Sequence, residues 1–214
     1  MKNYRRFENK KALITGANGG IGSVLIEALK KEGALVAATD LDTENLKADA
    51  KFNGNLLDSE FCDQLPKKVF DQFNGLDILC NVAGVITRGK INEVTDKDYN
   101  LTMKINVEAP FRLCRASIPL MKSGSAIVNV SSCWGLRPGP EHPLYVMSKA
   151  AIASLTQCLG LDHAQDGIRI NAVSPNEVNT QMLRSGFEIR GLDPDKAIAE
   201  LDKSVPLGRI AVPK

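Results

Sequence analysis

The five cysteines, Cys62, Cys80, Cys114, Cys133 and Cys158, form no CxxC pair. That spacing offers neither a zinc site nor a disulfide framework, and Cys80 and Cys158 sit in apolar stretches where free buried thiols are common. Reduced thiols, no metal and a cytoplasmic location are the expectation. Charge of one sign is also scarce: 27 Lys and Arg face 25 Asp and Glu, a formal net charge of +2. A nucleic-acid partner would call for a basic excess, so none is expected. No apolar run reaches the ~18–20 residues of a membrane span. The start, Met1-Lys2-Asn3-Tyr4-Arg5-Arg6, has no apolar signal core. Repeats, low-complexity tracts and linker-like stretches are missing too. What is present is 214 residues, 43% of them hydrophobic, enough for the core of one domain over residues 1–214.

Short apolar runs alternate with helical patterns. Lys11-Ala12-Leu13-Ile14-Thr15 runs up to Gly16. Ile21, Val24, Leu25, Ala28 and Leu29 then follow at i, i+3, i+4, i+7, i+8 spacing, closed by Gly33. Runs at 34–39, 76–83, 126–130 and 169–173 read as further strands. Helices are expected over 96–121 and 144–161, the first kinked or ended at Pro110 and Pro119. Continuous rather than alternating apolar strands belong to parallel sheets covered on both faces. The expected fold class is therefore α/β: a doubly wound parallel sheet of Rossmann type in three α/β/α layers.

Between the first strand and the first helix lies Thr15-Gly16-Ala17-Asn18-Gly19-Gly20-Ile21-Gly22, with glycines spaced GxxxGxG at 16, 20 and 22. Glycines let the backbone turn sharply and approach a phosphate closely. The helix beyond presents N–H groups and its positive dipole end to a pyrophosphate. Gly16, Asn18, Gly20, Ile21 and Gly22 are the candidate contacts. Asp40 ends the second run, where a carboxylate can accept from both adenosine ribose hydroxyls and repel a 2′-phosphate. Gly19 and Leu41 stand where a basic residue would read that phosphate. The expected cofactor is NAD rather than NADP, and the plainer reading of Asp40 is a turn cap.

With these motifs the sequence resembles the small, classical-type members of the short-chain dehydrogenase/reductase family, over nearly the whole chain from residue 10. Beyond the Thr15–Gly22 turn, the match includes Asn81-Val82-Ala83-Gly84 after a strand and Asn106 in Lys104-Ile105-Asn106-Val107. It also includes Ser132 in Asn129-Val130-Ser131-Ser132 and the signature Tyr145-Val146-Met147-Ser148-Lys149. The resemblance implies that Asn106, Ser132, Tyr145 and Lys149 are the catalytic residues. Tyrosine, with an ordinary pKa of ~10, is a poor base near neutrality. A lysine at i+4 on the same helix face favours the phenolate. The resemblance further gives Lys149 a hydrogen bond to the nicotinamide ribose, Ser132 one to the substrate oxygen, and Asn106 a water that relays the proton outward.

Other contacts carried by the resemblance are Asn81, Ala83 and Gly84, together with Asn55 and Leu56 in the place of the family's Asp-hydrophobic pair beside the adenine. Pro175, Val178 and Thr180 belong to the stretch that closes over the nicotinamide. Asn176 stands where the family commonly has glycine, and asparagine tolerates left-handed φ. The segment between Asp40 and Asn55 is short, which suggests a trimmed helix. Pro206 to Lys214 resembles the stretch before the family's last helix and strand. Roughly 30 residues, one helix-plus-strand unit, are thus expected to be missing, leaving the 169–173 strand with an uncovered edge.

The expected activity is hydride transfer between NAD(H) and a small-molecule secondary alcohol or ketone by a homo-oligomer, dimer or tetramer. An NADPH-dependent 3-oxoacyl thioester reductase is the second reading, against which Asp40 speaks. A non-catalytic NAD sensor is the third, against which Tyr145 and Lys149 speak. Nucleotide-sugar epimerases also use YxxxK but need a large C-terminal substrate domain. Trp134, Arg137, His142, Glu177 and the region 182–187 are expected to face the substrate. Arg184 and Arg190 suit an acid, and Glu177 suits a polyol hydroxyl.

Overall fold

A computed structural model describes residues 5–214. Six strands, β1 (Lys11–Thr15), β2 (Leu35–Asp40), β3 (Ala50–Asn53), β4 (Ile78–Asn81), β5 (Ala126–Val130) and β6 (Arg169–Val173), form one parallel sheet in the order β3-β2-β1-β4-β5-β6. Because strand side chains alternate, neighbouring residues of β1 feed opposite layers. Leu13 packs with Leu65, Val69, Leu113 and Ile127, whereas Ile14 packs with Ile26, Leu29 and Val36. The first layer holds α2 (Ser59–Phe73) and α4 (Ala109–Ser117); the second holds α1 (Gly20–Lys31). This is the doubly wound, three-layer fold expected from the apolar runs.

Two elements depart from expectation between β2 and β4. The β2–β3 connection contains no helix, so the helix read as trimmed is absent, and β3 itself lies at the sheet edge. Next, α2 is capped by Asp58, whose Oδ1 accepts from Glu60 N at 2.9 Å and Phe61 N at 3.3 Å. It ends at Asn74 in left-handed conformation, φ 53°.

The helix expected over 96–121 is broken into α3 (Asp96–Met103), a π turn (Lys104–Glu108), α4 and a 3₁₀ turn (Ile118–Leu120). Pro110 lies in the first turn of α4, where its missing N–H costs least. Pro119 lies in the closing 3₁₀ turn.

The long helix α5 (Pro143–Asp162) packs against β6 and the turn 133–135. Its 20 residues and mean hydropathy of 1.2 meet the length and composition of a membrane span, which the apolar runs had not suggested. Cys158 lies on its exposed side, not in the core as its context implied, with Sγ 3.5 Å from Asp162 Oδ2. Beyond β6, α6 (Gln181–Ile189) and α7 (Pro194–Ser204) pack together through Phe187, Ile198 and Ile210. β6 is the outer strand of the sheet, and Val173 on it is half exposed.

Candidate active site

The chain leaves β1 toward β2 on one side and β4 lies on the other, so a crevice opens at their C-terminal ends. Thr15, paired in register with Asn81, fixes its walls: Thr15 Oγ1 accepts from Val82 N at 3.1 Å and Ala83 N at 3.2 Å. The chain then turns through Gly16 at φ 62°. A Cβ on Gly16 would lie 2.6 Å from Ala83 Cα, so no other residue fits both the dihedral and the space. Gly19, the N-cap of α1, offers no side-chain cap, which leaves the first-turn N–H groups at Gly20, Ile21 and Gly22 open to a ligand.

Two cavities meet over this turn. One, of about 370 Å³, is lined by Gly16, Gly20, Ile21, Gly22, Asp40, Leu41, Asn55, Leu56, Ala83, Gly84 and Thr180. The other, of about 520 Å³, is lined by Ser132, Tyr145, Lys149, Pro175, Val178 and Thr180 among others. Ile21, Val82, Gly84, Thr180 and Met182 border both. A bent two-part ligand with phosphates at the junction fits this shape. The Asp40 carboxylate at the far end accepts from Asn18 N at 2.9 Å and Leu41 N at 2.7 Å. Each oxygen keeps a lone pair for a ribose hydroxyl. The Asn18 backbone thus serves Asp40, while its exposed side chain lines neither cavity.

Ser132, Tyr145 and Lys149 converge in the larger cavity. Ser132 follows β5 and caps the turn 133–135, accepting from Trp134 N at 3.2 Å. That turn sits directly on α5, because Gly135 faces the Lys149 backbone, where a Cβ would meet the carbonyl carbon at 2.7 Å. Lys149, 4% exposed, donates from Nζ to Val130 O at 2.8 Å and lies 5.7 Å from the Tyr145 ring centroid. Burial pulls its ammonium down to about 8. Burial also pushes the Tyr145 phenol up, opposed by its hydrogen bond with Ser132. Lys149 therefore faces a phenol that starts as a weaker acid than a free one.

Two expected contacts lie elsewhere. Asn81 is buried under the sheet: its Nδ2 donates to Asn129 Oδ1 at 2.8 Å, and Asn129 Nδ2 donates to Thr156 Oγ1 at 2.9 Å. This amide chain ties β4 through β5 to α5, and the Asn81 side chain borders neither cavity. Asn106 is also buried. Its Oδ1 accepts from Val85 N at 2.8 Å; its Nδ2 donates to Val85 O at 2.8 Å and to Ser148 Oγ at 3.0 Å. Only Gly84 separates it from Lys149: a Cβ there would lie 3.3 Å from Lys149 Nζ and 3.4 Å from Asn106 Oδ1. Asn106 is thus a positioning residue, aimed by the π turn.

The substrate-side residues divide similarly. Trp134, His142, Glu177, Phe187 and Arg190 line the larger cavity, with the Trp134 and His142 rings edge to face at 4.7 Å. Arg137 is exposed outside it, and Arg184 is held away by Asn179 at 3.0 Å and Asp195 at 2.9 Å. Asn176 does not take the left-handed conformation, which among the described non-glycine residues falls to Asn9, Asn74 and Glu141; its Oδ1 instead accepts from Cys133 Sγ at 3.1 Å. Arg88, which follows the β4 loop, lines the cavity without any sequence signal to mark it.

Residues 10–190 match the short chain dehydrogenase family. Galactitol 2-dehydrogenase of Agrobacterium fabrum is 34% identical over 97% of this chain and 87% of its own. The ligand-free aldohexose dehydrogenase of Thermoplasma acidophilum superposes with a TM-score of 0.92 at 26% identity, over 98% of this chain and 84% of that one. A short chain dehydrogenase of Burkholderia cenocepacia in complex with NADP gives a TM-score of 0.85 at 28% identity, over 97% and 86%. In fold, motif order and site geometry alike, the chain belongs to the short-chain dehydrogenase family of oxidoreductases, which bind a nicotinamide cofactor.

Proposed function

We propose that this protein transfers hydride between NAD(H) and a secondary alcohol or ketone, with Tyr145 as proton donor and acceptor. The observation that carries this reading is the convergence of Ser132, Tyr145 and Lys149 at one end of a cleft whose other end holds Asp40. The bound dinucleotide supplies the hydride acceptor or donor. Gly20, Ile21 and Gly22 would hold its phosphates, and Asn55 and Leu56 would flank its adenine. In alcohol oxidation the Tyr145 phenolate takes the hydroxyl proton. The Ser132 hydroxyl donates to the oxygen as it becomes a carbonyl, and the Lys149 ammonium stabilises the phenolate. Lys149 would pass the proton outward, with Asn106 holding the helix that carries it through Ser148.

Asp40 supports NAD over NADP. Leu41 beside it is apolar, and among the described residues no Lys or Arg lines the smaller cavity to meet a 2′-phosphate. The NADP of the Burkholderia structure belongs to that protein. Exposed Phe111 on α4 and Met147 and Leu161 on α5 support a homo-oligomer. The test is a screen of secondary alcohols and ketones with NAD(H) and with NADP(H). Turnover linked to NAD is expected; no turnover with either cofactor across sugars, polyols, hydroxy acids and simple alcohols would contradict the reading.

A further inference from the structure

Arg88 lines the larger cavity with Ser132 and Tyr145, yet among the described residues it has no ion pair and no hydrogen bond from its side chain. Burial and the like charge of Arg190 pull its guanidinium below the usual value. A guanidinium that gives up water without gaining a counterion is costly. Its position is nonetheless built. Gly186 is buried in α6 against the Arg88 head, where a Cβ would lie 2.2 Å from Arg88 Nη2, so a larger residue there would push the guanidinium out of this position. Arg190 is placed as well. Its Nε donates to Gly186 O at 3.0 Å, its Cζ lies 4.9 Å from the Phe187 ring centroid, and its two terminal nitrogens hold no hydrogen bond among the described residues.

Two carboxylates border the same cavity and neither answers Arg88. Glu177 faces Arg190 and His142, and burial pushes its carboxyl up. Glu141 is exposed at φ 62°. The Arg88 fork, flanked by the free nitrogens of Arg190, has the donors for one more carboxylate, which a ligand would supply.

We propose that Arg88, assisted by Arg190, forms a carboxylate subsite, so that the substrate is a hydroxy acid or the matching oxo acid whose carboxylate lies away from the reacting carbon. This inference rests on the dehydrogenase reading of the same cavity, and it deepens that reading by naming the substrate class. The partly apolar wall of Ile86, Leu183 and Phe187 would take the carbon chain between the two ends.

The test is calorimetric titration, with and without NADH, using acetate, butyrate and hexanoate and the matching amides as probes. Wild type, Arg88→Leu, Arg88→Lys and Arg190→Gln are compared, each checked for folding by circular dichroism. At least one acid is expected to bind at least tenfold more tightly than its amide. Arg88→Leu should erase that difference while leaving amide binding within twofold. Arg88→Lys, which keeps the charge without the fork, should keep part of it, and Arg190→Gln should weaken acids alone. Equal binding of acids and amides by wild type, or an acid preference that survives Arg88→Leu, overturns the subsite. If Arg88→Leu does not fold, Arg88→Lys and Arg190→Gln decide, and no loss of acid preference in either overturns it too. The two readings separate cleanly. Acid binding without turnover of any alcohol contradicts the dehydrogenase and leaves the subsite standing, whereas turnover indifferent to charge removes the subsite alone.

Discussion

The Asn106 amide donates to the Ser148 hydroxyl at 3.0 Å, which joins the π turn to the helix that carries Tyr145 and Lys149. Ser148 Oγ in turn donates to Tyr145 O at 2.8 Å. The loop after β4, the π turn and α5 are therefore one hydrogen-bonded unit. Asn106→Ala leaves the Val85 N–H and C=O without partners, so a loss of about 3 kcal/mol is expected. Ser148→Ala, which strands one amide hydrogen, should cost about 1 kcal/mol. Urea denaturation of both single variants and the double variant checks this. The double variant should lose less than the summed singles, since both remove the same bond.

Gly16→Ala should be among the most damaging single-methyl additions. It forces φ 62° on a residue with a Cβ and places that atom 2.6 Å from Ala83 Cα, on backbone that Thr15 holds in place. A loss of at least ~3 kcal/mol is expected, with NADH binding weakened at least tenfold where the variant still folds. Thermal melts and NADH fluorescence titration are the readouts. Gly124→Ala, where a Cβ meets nothing within 4 Å at φ 89°, should cost only the backbone strain.

Lys149 sets a pH dependence of stability. Its folded pKa of about 8 lies below the 10.5 of the free side chain. Below pH 8 the folded state carries the full cost of burying the ammonium. Between about 8 and 10.5 the unfolded chain holds a proton that the folded chain has released, so stability rises with pH. The shift corresponds to ~3 kcal/mol, less ~1 kcal/mol for the Val130 carbonyl left unpaired when the amine is removed. Lys149→Met should therefore stabilise the fold by about 2 kcal/mol at pH 7 while abolishing turnover, and the gain should vanish by pH 10. A stability difference that does not change from pH 7 to 10 would contradict a destabilised ammonium.

Asp40 should give at least tenfold higher kcat/KM with NAD than with NADP. Asp40→Ala combined with Leu41→Arg should reverse or erase that preference by removing a repulsion and supplying a guanidinium. Equal efficiency of the wild type with the two cofactors would remove the role given to Asp40.

Sequence patterning exposed β1, β2 and β4, apolar runs covered on both faces, and located β5 and the mostly exposed outer strand β6 as well, but it did not expose β3. Ala50-Lys51-Phe52-Asn53 alternates at the sheet edge and looks like loop. α2 was equally hidden, because Pro66, Lys67 and Lys68 interrupt a stripe that its Asp58 cap and Cys62, Leu65 and Val69 could have announced. In the site, the family resemblance marked Ser132, Tyr145 and Lys149, and a strand end and one helix turn fix where such side chains go. It could not say which way Asn81 faces, since a strand-end position serves the cleft or the core according to pleat. Arg88 needed the packing of α6 on a loop, a contact between residues 98 positions apart, and no local signal carries it.

The most direct test is Tyr145→Phe, compared with wild type for NADH affinity and for single-turnover oxidation of the best alcohol found. If Tyr145 moves the substrate proton, NADH affinity stays within a few-fold while the chemical step falls by ~10²–10⁴-fold. A variant that keeps more than about a tenth of the wild-type rate would contradict the assignment, since the phenol oxygen is the only atom removed.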